Sequence, residues 1–348
     1  MSAPPVLVEA SRAGLVEARH RGTVVVVEPD GHLVTALGDP GQLVFLRSSA
    51  KPFQLAPFVA SGRFDSYRFG NPTEALAIMA ASHSGEDRHV RTVQAILREG
   101  GLSRDVLQCG IHAPFDSETA QRLLRDGEPL TPLRHNCSGK HAGMALHAKA
   151  AGWPVETYWQ PDHPVQQLAL QTVATMTETP VEKIVTGTDG CGVVTFGVPL
   201  RGAALAFARF ADPSGVADDD LRGALERIRD AMMAHPELVA GVRGRLDTAL
   251  MRAAPDAVIA KGGAEGLSAV GALPSHGGDR VSGAIGLVVK IENGDGGHRA
   301  GAVAVCSALV QLGVLSASAV EGMGEFAAPP ILDPRGAVAG EVRPTFTI

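Results

Sequence analysis

Hydrophobic positions fall into two regimes along the chain, short β-branched runs toward both ends and helical periodicity between them. The opening runs predict strands at 6–10, 23–28 and 32–36, the last two joined by Pro29-Asp30-Gly31, a turn cluster that predicts a hairpin. A further apolar run at 43–46 leads directly into Arg47 and Ser48. Apolar spacing then predicts helices over 73–81, 86–98, 117–125, 140–151, 165–176, 218–234 and 245–253. Strand patterns return at 257–260, 283–292 and 298–305, with Asn293-Gly294-Asp295-Gly296-Gly297 as a hairpin turn between the last two. The expected fold is α/β of the α+β kind, a mixed, mainly antiparallel sheet built from both termini with helices packed on it. A sheet lobe over about 1–50 and 255–348 and a mainly helical lobe over about 51–254 are expected, with no repeat or linker.

Composition narrows the partners more than the fold. Aromatics are only 4% of residues, so the core is expected to be small aliphatic side chains closely packed. A net charge of -6 and a pI near 6.1 give no footprint for nucleic acid or an anionic membrane, which leaves small soluble partners. The start, Met1-Ser2-Ala3-Pro4-Pro5, lacks a basic region followed by an apolar stretch, and no apolar run approaches ~18 residues. A cytoplasmic protein without a membrane span is expected, its cysteines Cys109, Cys137, Cys191 and Cys306 reduced.

Lysine is scarce, with 25 Arg against 6 Lys. Arginine stays charged, whereas lysine can lose its proton at workable cost. Three of the six, Lys51, Lys140 and Lys261, sit in motifs of Ser, Gly, Cys and His. In Arg47-Ser48-Ser49-Ala50-Lys51 a serine three residues before a lysine can share a helix face with it as nucleophile and base. The amine must then be neutral, which burial or a nearby cation can arrange. The structural alternative makes Ser48 or Ser49 a helix N-cap and Lys51 a surface residue. Pro52 puts the pair at a helix start, where amides at the helix end can face an oxyanion.

Ala81-Ser82-His83-Ser84-Gly85-Glu86 closes one helical pattern and opens the next. Ser84 reads as an N-cap followed by acids, Ser82 has no such structural reading, and His83 is either a loop residue or a substrate contact. Lys261 follows a buried apolar run and precedes glycines that admit a ligand or another backbone, or it snorkels to solvent. His135-Asn136-Cys137-Ser138-Gly139-Lys140-His141 and Thr188-Asp189-Gly190-Cys191-Gly192 are the remaining dense segments. Spacing alone suggests zinc on Cys137, His141 and Cys191. Other readings make Cys137 a nucleophile with His135 or His141 as base, or make both cysteines small buried hydrophobes. Ser138-Gly139-Lys140 lacks the glycine spacing of a phosphate loop, so nucleotide binding is set aside.

In this order, Arg47-Ser48-Ser49-Ala50-Lys51-Pro52, Ala81-Ser82-His83, the two cysteine segments and Lys261-Gly262-Gly263-Ala264-Glu265-Gly266 resemble the rhizobial-type L-asparaginases, the asparaginase II family, over nearly the whole chain. The resemblance implies a fold similar to serine β-lactamases and penicillin-binding proteins, and a homodimer. It makes Ser48 with Lys51 one serine-lysine tandem and Ser82 with Lys261 a second, the two lysines lowering each other's pKa. It makes Cys137, Lys140 and Cys191 zinc ligands, with Asp189 near metal and substrate. The implied activity is hydrolysis of L-asparagine to L-aspartate and ammonia through a Ser48 acyl-enzyme with Lys51 as base. Arg47 or His83 would meet the substrate α-carboxylate and Asp189 the α-amino group, while zinc orients substrate and does not generate the nucleophile. Gly262 stands where the β-lactamase motif has a hydroxyl residue, which argues against β-lactam chemistry. The alternatives are a glutaminase or other amidohydrolase, or a catalytically silent protein that binds zinc or an amino acid.

Overall fold

The computed structural model describes residues 3–274, 283–295 and 299–348. The chain opens with β1 (Val6–Arg12), β2 (Leu15–Val27), β3 (Leu33–Leu37) and β4 (Leu43–Phe45). It continues through α1 (Lys51–Ala60), α2 (Pro72–Met79), α3 (Asp87–Glu99), α4 (Ser117–Asp126), α5 (Ser138–Ala150) and α6 (Pro164–Thr177). Next come β5 (Val185–Thr188), β6 (Val194–Pro199), α7 (Leu200–Ala211), α8 (Asp219–Ala234), α9 (Pro236–Val239) and α10 (Leu246–Ala253). It ends with β7 (Val258–Gly262), β8 (Leu267–Ala272), β9 (Ile285–Ile291), α11 (Ala300–Gln311), α12 (Ala317–Glu321), β10 (Pro330–Leu332) and β11 (Val338–Pro344). Two compact units result, one of residues 1–49, 198–215 and 249–348, the other of residues 50–197 and 216–248.

The first unit is built on a sheet ordered β10-β11-β1-β2-β9-β8-β7, with β3 also paired to β2. Both termini contribute, and every pairing described in this sheet is antiparallel. β2 explains its own length. Residues 15–21 alternate in exposure and pair with β1, whereas Val24 to Val27 are buried on both faces between β3 and β9. The α-helix over the sheet, α7, reads Leu200-Arg201-Gly202-Ala203-Ala204-Leu205-Ala206-Phe207 and packs on β2, β8 and β9. It lies so close that a Cβ on Gly286 would overlap the Ala204 carbonyl, which is what a core of alanine and glycine permits.

One expected strand is a helix. Of the stretch 298–305, His298 lies outside the described residues and Ala300 onward forms α11, so the hairpin with β9 does not exist. The reason is Asp295, whose carboxylate accepts the Arg299, Ala300 and Gly301 amides at 3.3, 3.1 and 2.7 Å. An acid on the first free N–H groups starts a helix and favours the positive end of its dipole. Gly296 and Gly297 of the expected turn lie outside the described residues.

The second unit is helical apart from the β5–β6 hairpin, whose register runs from Val185 opposite Gly197 to Thr188 opposite Val194. Its turn carries Asp189 and Cys191. α1 is central, touching α5, α6 and α8, and eight of its residues from Lys51 to Val59 are buried. α2 is capped by the Asn71 side chain on the Glu74 amide and packs on α3, α5, α8 and α9. The cap of α3 is Glu86, not Ser84: the Glu86 amide donates to His89 Nδ1 at 3.0 Å, and Ser84 is engaged elsewhere. Among the described residues no helix is long and apolar enough to cross a membrane.

Candidate active site

Ser82 sits in an extended segment between α2 and α3 that is gripped by several other parts of the second unit. Its amide donates to the Val239 carbonyl at 2.9 Å and its carbonyl accepts from Arg245 Nη2 at 2.9 Å. The His83 amide donates to Asn136, the Asp116 amide to the Ser84 carbonyl, and Arg134 Nη1 to the Gly85 carbonyl at 2.9 Å. With every residue from Ala81 to Glu86 buried, these bonds have no water competing for them, and the segment is held rigidly.

Lys51, at the first turn of α1, is 1% exposed and its amine lies 2.6 Å from the Ala81 carbonyl and 2.8 Å from Ser82 Oγ. Burial holds that amine below its ordinary value; the Cys137 thiol opposes the shift and Lys140 adds to it. The cation that helps is therefore Lys140. Lys140 is as deeply buried and has the opposite fate: desolvation works against its charge, yet Cys191, Cys137 and Asp189 hold it well above the usual lysine value. The two buried lysines are thereby shifted in opposite directions, Lys51 down by burial and Lys140 up by its sulfur and carboxylate neighbours.

Lys140 Nζ is 2.9 Å from Cys191 Sγ, which lies 3.7 Å from Asp189 Oδ2. Cys137 and Cys191 hydrogen-bond to one another; that bond, with Lys51 and Lys140 alongside, pulls the Cys137 thiol well below its usual value. The same bond raises Cys191, so the two thiols titrate as one coupled pair. Cys109 and Cys306 are different, pushed up to about 12 chiefly by burial, and behave as small hydrophobes. His135 spends Nδ1 on the Cys137 amide at 3.0 Å, and His141 turns Nδ1 to the Tyr158 hydroxyl at 2.7 Å. Burial pushes them down to about 3 and about 4 respectively, and neither ring is bonded to the Cys137 sulfur among the described residues. His141 Nε2 makes no regular hydrogen bond among the described residues, and Cys191 beside the ring opposes the downward shift from burial.

His83 is fully buried, with Nδ1 accepting the Gly85 amide at 3.2 Å and Nε2 on Ser138 Oγ at 2.9 Å. Both nitrogens are therefore used internally, and burial first, then His89, holds the ring neutral. Asp189 is half-buried, its Oδ1 taking the Gly190 amide at 2.8 Å.

The first unit brings the remaining motifs together. Arg47 has φ +50, a left-handed conformation that costs a non-glycine residue on the order of 1–2 kcal/mol and marks a backbone held by its surroundings. Ser49 commits its hydroxyl to the Leu46 carbonyl at 2.7 Å, whereas Ser48 is half-buried and its hydroxyl makes no hydrogen bond among the described residues. A Cβ on Gly263 would come within 2.7 Å of the Leu46 carbonyl, so the end of β7 runs against the segment before Ser48. Arg47 Nη1 is 4.0 Å from Glu265 Oε1 in the same loop. Lys261 is 0% exposed, and its amine donates to the Gly262 carbonyl at 3.0 Å.

Sequence reasoning missed Arg134, Tyr158 and Arg245, which brace these segments through backbone carbonyls and amides. No local pattern marks a side chain that acts on backbone more than 40 residues away, as each of these does. Among the described residues no group of three His, Cys, Asp or Glu side chains is placed to hold a metal. A groove of about 570 Å³ between α2, α3 and α9, lined by Glu74, Arg88, Arg91 and Arg98 among others, contains none of the predicted site residues.

No curated protein sequence matches the chain. Among solved structures it is similar to a probable glutaminase from Bacillus subtilis complexed with 6-diazo-5-oxo-L-norleucine, at 15% identity and TM-score 0.38, over 85% of each chain. It is also similar to a Bacillus glutaminase in the presence of 4.3 M NaCl, at 15% identity and TM-score 0.38, over 84% of this chain and 92% of that one. The sequence profile described as L-asparaginase II matches residues 8–344, nearly the full length and all of the motifs above. The chain therefore belongs to the L-asparaginase II family, a family of amide hydrolases.

Proposed function

We propose that the protein hydrolyses the side-chain amide of L-asparagine to L-aspartate and ammonia through a covalent acyl-enzyme. The observation that carries this reading is the buried Lys51 amine, lowered by desolvation, 2.8 Å from Ser82 Oγ. A neutral amine has a lone pair, so the same contact can reverse, with the serine O–H donating to nitrogen. Ser48 attacks the amide carbon, Lys51 takes its proton, and the tetrahedral intermediate collapses with cleavage of the C–N bond. Ser82, bonded to Lys51, passes the proton to the departing ammonia, and Lys261 is assigned to support that second hydroxyl. Water then attacks the aspartyl ester and releases Ser48. Arg47 is assigned to the α-carboxylate and Asp189 to the α-amino group of the substrate, while His83 acts as a buried brace.

A second assignment has a specific observation behind it: the described Lys51 contact ends on Ser82, which makes Ser82 an alternative nucleophile. Peptide mapping of an acyl-enzyme trapped at low pH decides, because the added mass stays on one serine. Ammonia release from asparagine, with glutamine as comparison, tests the whole reading. Turnover of glutamine alone would make the chain a glutaminase, and binding of asparagine without ammonia would make it a silent binder.

Zinc is proposed on Cys137, Lys140 and Cys191. The donors suit it, two sulfurs, of which Cys137 is held well below its usual pKa, and a buried amine 2.9 Å from Cys191 Sγ, provided Lys140 gives up its proton on binding. Bound there, zinc would supply a fixed positive charge that orients an anionic substrate group and ties the α5 start to the β5–β6 turn. The proposed assembly is a homodimer, read by sedimentation.

A further inference from the structure

Arg245 lies between α9 and α10, more than 160 residues from Ser82, and it is spent in an unusual way. Among the described residues it forms no ion pair. Its Nη1 donates to Ser84 Oγ at 2.8 Å and to the Ala240 carbonyl at 3.0 Å, and its Nη2 donates to the Ser82 carbonyl at 2.9 Å. The guanidinium also lies over the Phe115 ring, 6.0 Å from its centroid. Three planar N–H vectors from one cation fix direction as well as distance, which a lysine cannot reproduce.

The surrounding loop does the same on the other side. The Val239 carbonyl holds the Ser82 amide at 2.9 Å, and the Val242 amide donates to Glu86 Oε1 at 2.9 Å. Gly241 passes so near that a Cβ there would stand 2.5 Å from Ser84 Oγ. Residues 239–245 thus hold both the amide before and the carbonyl after the Ser82 side chain, leaving its Cα–Cβ direction little freedom.

We propose that Arg245 is the positioning residue for Ser82, clamping its carbonyl so that Ser82 Oγ stays on the Lys51 amine. The proposal rests on the reading in which Lys51 and Ser82 exchange protons during amide hydrolysis. Its test is asparagine turnover by Arg245→Met, Arg245→Lys, Ser84→Ala and Arg243→Ala, each checked for folding by near-UV circular dichroism. Arg243 is the comparator, because it pairs with Asp116 from the same loop and does not touch Ser82.

Misplacement of a reacting group by about 1 Å costs about 100-fold, so Arg245→Met should lose about that much kcat with KM held within about threefold and the acid limb of the kcat profile moved. Arg245→Lys should recover part of the loss. Arg243→Ala should lower the melting temperature and keep kcat, and Ser84→Ala, which leaves the bond to the Ser82 carbonyl, should keep kcat within about threefold. If Arg245→Met does not fold, the comparison of Arg245→Lys with Ser84→Ala decides, and equal losses overturn the proposal. An active wild type whose folded Arg245→Met variant keeps its kcat and pH profile also overturns it. A wild type that releases no ammonia overturns the parent reading instead.

Discussion

Replacing Lys51 by Met keeps the volume and removes the amine, and the structure gives opposite signs for activity and stability. Loss of a general base costs about 10²- to 10⁴-fold in kcat, equivalent to about 3 to 5 kcal/mol of transition-state stabilisation. For stability, the Ala81 carbonyl and Ser82 Oγ each lose a buried donor, a cost of about 1–3 kcal/mol in the range where Lys51 is neutral folded and unfolded. At lower pH a second effect enters. The folded pKa is depressed by burial, so the unfolded chain binds a proton that the folded chain does not. The wild type therefore loses about 1.4 kcal/mol of stability per pH unit as pH falls from the unfolded lysine value toward the folded one. The Met variant has no such loss. Urea unfolding of both proteins at pH 10 and pH 7 should show the variant weaker at the high pH and the difference closing or reversing at the low one. Cys137 loses part of what lowers its thiol when Lys51 is removed, so the comparison is repeated in a Cys137→Ala background. A stability difference that is the same at both pH values, or a kcat within about tenfold of wild type, refutes a neutral Lys51 acting as base.

Three further outcomes follow from other parts of the molecule. Ser48→Ala should abolish asparagine turnover while leaving bound zinc unchanged by elemental analysis; retained turnover would move the nucleophile to Ser82 or away from serine altogether. Cys191→Ser should lower the zinc content of protein purified without chelator, because it removes one proposed sulfur donor and the partner of Lys140 and Cys137 together, and unchanged stoichiometry would remove Cys191 from the ligand set. Gly286→Ala should destabilise the first unit by about 1–3 kcal/mol or more in denaturant melts, since the new methyl collides with backbone of α7 and not with a mobile side chain.

How much of this was legible in the sequence depended on whether an element has two different faces. α3, α4 and α8 each bury one face and expose the other, and their patterns located them to within a residue or two. α1, α7 and α11 are buried almost all round, so apolar periodicity vanishes, and in α1 Pro52 and Pro57 disguise it further. An all-apolar run of Ala and Val cannot be told from a buried strand by period alone, which is how α11 was misread. Its deciding residue, Asp295, was visible but fits a turn as well as a cap.

The site divides along similar lines. Lys51, Lys140 and Lys261 stood out because lysine is rare here and because burying one demands a reason; all three prove to be buried. What spacing could not supply was their wiring. Sequence distance paired Lys51 with Ser48, whereas the described bond reaches Ser82 across 31 positions, and the opposite shifts of the two lysines come from burial at Lys51 and from Cys191, Cys137 and Asp189 at Lys140. The same two thiols that hold the Lys140 proton also raise Lys51, Cys137 by a direct bond as well as by charge, yet burial is the larger effect at Lys51, whose oxygen partners are an uncharged carbonyl and hydroxyl. A single carboxylate introduced there, as in Ser82→Asp, should therefore raise the Lys51 pKa, and the urea stability of such a variant should no longer fall between pH 10 and pH 7 on account of Lys51, whereas a fall equal to that of the wild type refutes the reasoning.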